Sequence, residues 1–511
     1  MRILTLALLA TPALTVSAAA GAQEAPPADE VTVPPEAPAT NDDLAAKAAF
    51  LEAQVESLQE QLNELKTQMS RATPVWKGAP QLEDKESGWT FKPRGRIQYD
   101  AGYVENPDDA IATRNLGFNH RVRRVRLGAE GAIPGGFGYK FEMDFANSAV
   151  GFGDLVLTYT PKDKPWSVTI GNHETFESLE QVTSSRFISF LERAQMNDAF
   201  THTRRLGLSV GLQDKRNVLR FNAGLFAAHS IDASVDNEGW IAAGRATYSP
   251  RAFGGMLHLG VNAQHREFQS NNGATVTSSV GAPSTNRQGR YRARPFLQTA
   301  DVRFVDTGNF AAKSDNIVGI EAGGIFGPLH VVGEAQWTKV DAYSAGDRLT
   351  GLDAFPTATF LVPSGDPSFL SFYAEAGYFL TGETRGYKNG MWDRTKVSKP
   401  FSKGGWGALQ VNARFDYLDL NSRKIHNGFT NNFTTGAATA SSNLGRGGEQ
   451  TGYLASLIWI PEDYIRFLLQ VSHTRVRGGP FAATVDAGSG LPLDRRSYTV
   501  NGAALRAQLD F

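Results

Sequence analysis

Residues 409–417 read LQVNARFDY, and the alternation in them is unbroken. Leu409, Val411, Ala413, Phe415 and Tyr417 fall on one side of an extended chain. Gln410, Asn412, Arg414 and Asp416 fall on the other. Successive side chains of a strand point to opposite faces, so this stretch predicts a strand with one apolar and one charged face. The same period runs outward from it. Leu206, Leu208, Val210 and Leu212 alternate with Gly207, Ser209 and Gly211. Leu219, Phe221, Ala223 and Leu225 alternate with Arg220, Asn222 and Gly224. Tyr139, Phe141, Met143 and Phe145 alternate with Lys140, Glu142 and Asp144. Ala503, Leu505, Ala507, Leu509 and Phe511 alternate with Arg506, Gln508 and Asp510.

A soluble sandwich also alternates, but two features separate this chain from one. The non-apolar face is charged or glycine, and aromatic residues gather near the strand ends: Tyr159, Trp166, Trp240, Tyr248, Trp337, Trp406, Tyr417, Trp459 and Tyr464. That is the signature of interfacial girdles on a membrane barrel. Short turns such as 460–463 (IPED) alternate with long Gly/Ser/Asn-rich stretches at 268–294, 342–367, 421–449 and 478–496. Phe511 is read as a terminal aromatic on the lipid face. Spanning strands of about 9–11 residues with their connections use roughly 26 residues each, which predicts about 16 strands over 88–511. A barrel of that size leaves an aqueous channel unless plugged. Past the N-terminus no apolar run is long enough for a transmembrane helix. The chain has no Cys, which removes disulfides, thiolate metal sites and Cys nucleophiles together.

The N-terminal part reads differently. Residues 1–22 predict a signal peptide: Arg2, an apolar run Ile3–Val16, and Ala20-Gly21-Ala22 before Gln23. Residues 23–41 are Pro/Ala/Glu-rich and predict a disordered linker. In 42–72, Leu44, Ala48, Leu51, Val55, Leu58, Leu62, Leu65 and Met69 are spaced 4-3-4-3-4-3-4, an a/d heptad pattern that predicts a short periplasmic coiled coil of two or three strands. A single amphipathic helix is the alternative. Residues 73–87 predict a second linker. Residues 1–87 hold 6 Lys/Arg and 13 Asp/Glu, and 88–511 hold 45 and 39, so an acidic tether precedes a mildly basic barrel. That sign favours anions if the excess lines the lumen.

One segment breaks the alternation. Residues 171–193 (GNHETFESLEQVTSSRFISFLER) are long and amphipathic, with Phe176, Leu179, Phe187, Ile188 and Leu191 available for packing. The pattern fits a loop folded into the lumen and equally an exposed loop with a helical turn. On the alternation, Arg124, Arg126, Arg205, Arg220 and Arg245 face inward. Guanidinium stays charged and forks onto oxyanions, so such a column favours phosphate-like anions. The plainer reading is a transverse field balanced by Glu130, Glu142 and Asp144. His173, His202 and His229 sit in no Ser/His/Asp or metal-ligand spacing, so no catalytic residue, metal or cofactor is expected.

The chain resembles the phosphate-selective porin O/P family. The stretches that carry the resemblance are 121–131 (RVRRVRLGAEG), 139–146 (YKFEMDFA), 171–193, 372–383 (FYAEAGYFLTGE) and 405–420 (GWGALQVNARFDYLDL), in order along nearly the whole barrel. The resemblance implies an all-β fold: a 16-stranded antiparallel transmembrane β-barrel with an inward-folded third loop, here preceded by the helical coiled coil. It implies a homotrimer in the outer membrane of a Gram-negative bacterium, with lipid and small inorganic anions as its partners and no nucleic acid. It implies passive diffusion of small anions, phosphate or polyphosphate among them, and no enzyme activity. Carried over residue by residue, Arg193 in Leu191-Glu192-Arg193 is the arginine of the central anion site. Arg186, after Thr183-Ser184-Ser185, stands where the family has lysine. Asp154 is the acidic residue beside the constriction, and Arg124, Arg126, Arg205 and Arg220 belong to an arginine ladder. One departure stands out: Gln181 follows Leu179-Glu180 where phosphate-specific members are expected to have lysine. That leaves two alternatives open, a weakly selective general porin and a structural envelope tether acting through the coiled coil.

Overall fold

The computed structural model describes residues 41–72, 75–76, 78–84, 86–112, 114–146, 149–231, 239–268, 288–343, 359–432, 437–440 and 447–511. The expected signal peptide and all but the last residue of the first linker lie outside the described residues. The described part divides into two units, broken after Ser70.

In the first unit, α1 runs over Asn41–Ala72. Leu51, Val55, Leu58 and Leu62 on it are all more than half exposed. Among the described residues no helix is long and apolar enough to cross a membrane, which says nothing of strands.

The second unit is a barrel of sixteen long strands. They are β1 (Thr90–Val104), β2 (Gly117–Ile133), β3 (Phe137–Asp144), β4 (Gly151–Tyr159), β5 (Trp166–His173), β6 (Arg205–Gln213), β7 (Leu219–Ala227) and β8 (Trp240–Tyr248). The other eight are β9 (Gly255–Glu267), β10 (Phe310–Phe326), β11 (Leu329–Ala342), β12 (Ser368–Phe379), β13 (Ala408–Asp419), β14 (Glu449–Glu462), β15 (Ile465–Arg477) and β16 (Ser497–Asp510). Each pairs antiparallel with the next. β16 then pairs with β1, Ala507 opposite Tyr99 and Leu509 opposite Ile97, so the sheet closes. Closure leaves no strand edge unpaired, the condition for backbone to lie in hydrocarbon.

The side chains explain which way the sheet curls. In β6, Leu206, Leu208, Val210 and Leu212 are 45–52% exposed while Ser209 is 4% exposed. In β13, Gln410, Asn412, Arg414 and Asp416 are all buried. An apolar outside and a buried polar inside invert the soluble arrangement, as a lipid environment requires. At one end the turns are short: residues 134–136, 160–165, 327–328 and 463–464. In the first of these Gly135 and Gly136 both adopt positive φ, 89° and 93°, where a side chain is strained. Aromatic pairs lie at this end: Tyr159 meets Trp166 edge-on at 5.7 Å and Trp459 stacks on Phe467 at 5.4 Å. Phe511 exchanges backbone hydrogen bonds with Gly95 at 3.2 and 3.0 Å, and its ring lies where a Cβ on Gly95 would sit.

Three features depart from the expected layout. Within 73–87, Val75–Trp76 pairs with Pro80–Gln81, and Leu82–Glu83 pairs with Phe91–Thr90. The connection from β12 to β13, residues 380–407, lies at the short-turn end yet is long, and contains a hairpin of Gly386–Lys388 against Met391–Asp393. The segment before β10 is not a plain surface loop. Tyr291, Phe296, Leu297 and Phe304 in it are almost wholly buried, and Gln470 donates to the Phe296 carbonyl from the inner face of β15.

Candidate functional site

The chain between β5 and β6 is built as a scaffold. Phe176 and Ser178 take left-handed φ of 66° and 67°, which turns the backbone sharply. The Ser178 hydroxyl then accepts from the Gln181 amide at 3.0 Å and starts a single helical turn, Leu179–Val182. The carboxylate of Glu334 on β11 accepts the Leu179 and Glu180 amides at 2.8 and 2.9 Å, and the Tyr373 hydroxyl at 2.6 Å. Other strands hold residues 186–191. Arg466 on β15 donates to the Arg186 and Ile188 carbonyls at 2.8 and 2.6 Å. Gln470 accepts the Leu191 amide at 2.8 Å, and Arg506 on β16 donates to the Leu191 carbonyl at 2.6 Å. Arg414 on β13 bridges Glu180 and Glu375. Thus a segment that leaves the wall at β5 is fastened to inner-face side chains of β11, β13, β15 and β16. Glu180 and Glu375 both face the Arg414 guanidinium, which offsets the desolvation of their carboxylates. Glu192 illustrates the balance: burial opposes its charge, but Arg123, Arg124 and Arg506 around it hold the carboxyl below the usual carboxylate range. Arg123 makes both fork bonds to it, at 2.8 and 3.0 Å.

Below this segment lies a polar cavity of about 600 Å³. Its cations are Lys92, Arg94 and Arg96 of β1, Arg124 and Arg126 of β2, Lys140 of β3, Arg186, Arg193 and Arg204 of the β5–β6 segment, and Lys388 and Arg394 of the 380–407 segment. Its carboxylates are Glu142, Asp154, Glu174 and Asp393. Eleven positive groups therefore face four negative ones. Low-dielectric walls concentrate such a field in the space between them. Several cations are paired: Arg126 binds Glu142 at 2.7 Å and Asp144 at 2.8 Å, and Arg94 binds Glu130. Arg124 has no carboxylate within ion-pair distance among the described residues. It donates from Nη1 to Gln98 at 2.8 Å, and its buried Nε has no hydrogen-bond partner. The buried Arg96 Nε is likewise without a partner.

Residues 91–511 match the family model of the phosphate-selective porins O and P. The chain belongs to this porin family. An uncharacterised protein of Caulobacter vibrioides is 35% identical over 447 residues, spanning 86% of this chain and 77% of that one. Porin O of Pseudomonas aeruginosa is 23% identical over 381 residues, 68% of this chain and 77% of its own. Among solved structures, the outer-membrane channel DcaP of Acinetobacter baumannii superposes with a TM-score of 0.46 at 12% identity, covering 84% of this chain and 99% of its own. An anion-selective porin from Comamonas acidovorans gives 0.44 at 10% identity, covering 83% of this chain and 100% of its own.

In this porin the residues singled out from sequence scatter between two environments. Arg186, Arg193, Asp154, Arg124 and Arg126 line the cavity together. Arg205 and Arg220 do not. Arg205 donates to the carbonyls of Arg204 and Ala228, and Arg220 donates to Asn389 at 2.7 Å. Asp154 is gripped on both oxygens, by Arg204 and by Lys140. Arg193 has a role that the sequence did not reveal. Its Nε donates to the Glu180 carbonyl at 2.9 Å, and its Nη2 to those of Gln181 and Thr183 at 3.2 and 2.8 Å. It closes the open carbonyl end of the helical turn while its charge borders the cavity. Arg193→Lys keeps the charge and loses the fork. Bonds from a charged donor are worth about 1.5–3 kcal/mol each, so the turn should loosen. We expect noisier single-channel current at an unchanged reversal potential. A shifted reversal potential with quiet current would mean that the fork binds ions rather than backbone.

Two groups of site residues were not legible in the alternation. Arg121 and Arg123 share the parity of Val125 and would face lipid. A β-bulge changes this: Gln98 pairs with Arg124 and Tyr99 with Val122, leaving Arg123 as the extra residue. Arg121 then lies opposite Asp100, and Arg123 reaches Glu192. The run of four arginines in RVRRVR was the available signal, since a bulge is what lets both parities point one way. The second group, Lys388 and Arg394, sits in a connection expected to be short. Tyr464, expected on the outer face, also lines the cavity, with the Arg394 guanidinium 4.4 Å from its ring centre.

Proposed function

We propose that this protein is an outer-membrane porin through which small anions diffuse passively, phosphate-like oxyanions among them. In this reading the β5–β6 segment, folded into the lumen, is the constriction. Arg124, Arg126, Arg186 and Arg193 present positive charge there, and Asp154 shapes the local field. Three copies form the working unit, and the N-terminal segment lies in the periplasm after removal of a signal peptide over residues 1–22. The observation that carries the reading is the excess of cations around one cavity: eleven line it, against four lining carboxylates and three more, Glu130, Asp144 and Asp510, paired to its arginines from outside, and Arg124 makes no ion pair among the described residues.

Gln181 favours a second reading, a weakly selective general porin. Its side chain is neutral and is engaged with Glu174, donating at 2.9 Å. A lysine there would add a cation. Two measurements separate the readings. Under a KCl gradient across a planar bilayer, the reversal potential should report anion preference, and cation preference would reject both the anion pathway and the phosphate reading. Millimolar phosphate should then reduce the chloride current. Chloride current indifferent to phosphate leaves the general anion porin.

A further inference from the structure

We infer that α1 is a self-recognition element: it pairs with α1 of other copies of this chain as a parallel three-stranded coiled coil. The anion pathway leaves this helix unused, and only the strand number rests on the trimeric reading above. α1 spans Asn41–Ala72, 32 residues, and its seam is continuous. The d positions are Leu44, Leu51, Leu58 and Leu65, all leucine, and the a positions are Ala48, Val55, Leu62 and Met69. In the single chain Leu51, Val55, Leu58 and Leu62 remain 52–63% exposed. Apart from Phe50, the residues off the seam are polar or alanine, so the stripe is the helix's main apolar face and stays in water only if nothing covers it.

The occupant is named by complementarity. A second copy presents an identical leucine ladder, so the d layers match without any other partner being invoked. At the flanks, Lys47 is a g position and Glu52 the following e position. Parallel chains in register bring g of one beside the following e of the next, so Lys47 meets Glu52 of a neighbour. The remaining flanking pairs, Gln54 with Gln59 and Gln61 with Lys66, contain no like charges. Antiparallel chains would lose the Lys47–Glu52 match. Symmetry gives the same direction, because rotation about a threefold axis makes all copies of a segment run the same way along it. A seam this short is marginal for free helices, but attachment to an assembled trimer raises the local concentration to the millimolar range.

The chain has no native cysteine, so single thiols report proximity cleanly. In the full-length protein in membranes, Leu58→Cys at a d position should form an inter-chain disulfide under a mild oxidant, in up to two of every three chains. Glu60→Cys at the f position should not. The paired variant Lys47→Cys/Glu52→Cys should yield covalent trimers, because each g–e contact joins a different pair of chains. Equal cross-linking at positions 58 and 60, or none at 58, overturns self-pairing. Covalent dimers alone from the paired variant overturn the three-stranded form. Leu51→Cys repeats the d-layer test should Leu58→Cys fold poorly. The reversal potential of each variant, measured in parallel, reports on the pore separately from the helix.

Discussion

Replacing Arg124 by Glu should abolish anion preference at low salt, while at high salt the conductance of the variant should approach that of the wild type. Like Arg193, Arg124 makes no ion pair among the described residues; only Glu192, beyond ion-pair distance, offsets part of its charge. A unit charge and a monovalent anion about 6 Å apart attract by ~0.7 kcal/mol in bulk water and by ~3 kcal/mol at an effective dielectric of about 20. Losing that attraction lowers anion occupancy by roughly 3-fold to 100-fold, since 1.4 kcal/mol is about tenfold. Arg124→Gln removes one unit of charge and Arg124→Glu changes it by two, so the shift in reversal potential should grow in that order. At 1 M salt the screening length is about 3 Å, and the conductances of the variants should converge. Arg220→Gln is the matched control. Its guanidinium does not line the cavity; it is engaged with Asn217 and with Asn389, a neutral residue at the cavity's edge, and we expect little change in selectivity. Equal shifts for the Arg124 and Arg220 variants would reject the cavity as the selective element.

The barrel was legible because its signal is local. Leu206, Leu208, Val210 and Leu212 need only their own alternation to be placed on the outer face, and their exposure agrees. The strand number came from length, and the pairing of β16 with β1 closes the sheet at the expected count. What alternation could not carry is contact between parts far apart in sequence. Arg193 reads as a free cation until the carbonyls of Glu180, Gln181 and Thr183 are seen around it. Arg123 reads as lipid-facing until one bulge moves it, because a strand period of two has no memory across an inserted residue. Residues 288–309 have no period at all, yet bury Tyr291, Phe296, Leu297 and Phe304. Their partners, such as the inner face of β15, lie far away in sequence. Arg205 and Arg220 show the converse: correct parity alone does not bring a residue to the cavity, since position along the strand also decides.

The second large effect concerns Arg414, which fastens the β5–β6 segment to the wall. Its guanidinium donates to Glu180 and Glu375 at 2.5 and 2.6 Å and lies 4.5 Å from the Phe190 ring centre and 4.7 Å from that of Tyr373. Arg414→Met fills much of the volume but strands a buried carboxylate. Glu375 is not the one stranded, because Arg385 already lies 3.3 Å from it. Among the described residues, the Glu180 carboxylate keeps only the Ala194 amide at 2.9 Å. Breaking a buried pair from one side costs about 3–5 kcal/mol. The backbone pairing of β13 with β12 and β14 does not involve this side chain, so the strain falls on the segment rather than on the barrel. The expected result is a folded barrel with larger single-channel conductance, weaker ion preference, and new tryptic cleavage after Arg186 or Arg193. Adding Glu180→Gln removes the stranded charge and should reverse all three changes, which a general loss of packing would not allow. If Arg414→Met left conductance and cleavage as in the parent, the Glu180–Arg414 bridge would not be what holds the segment across the barrel.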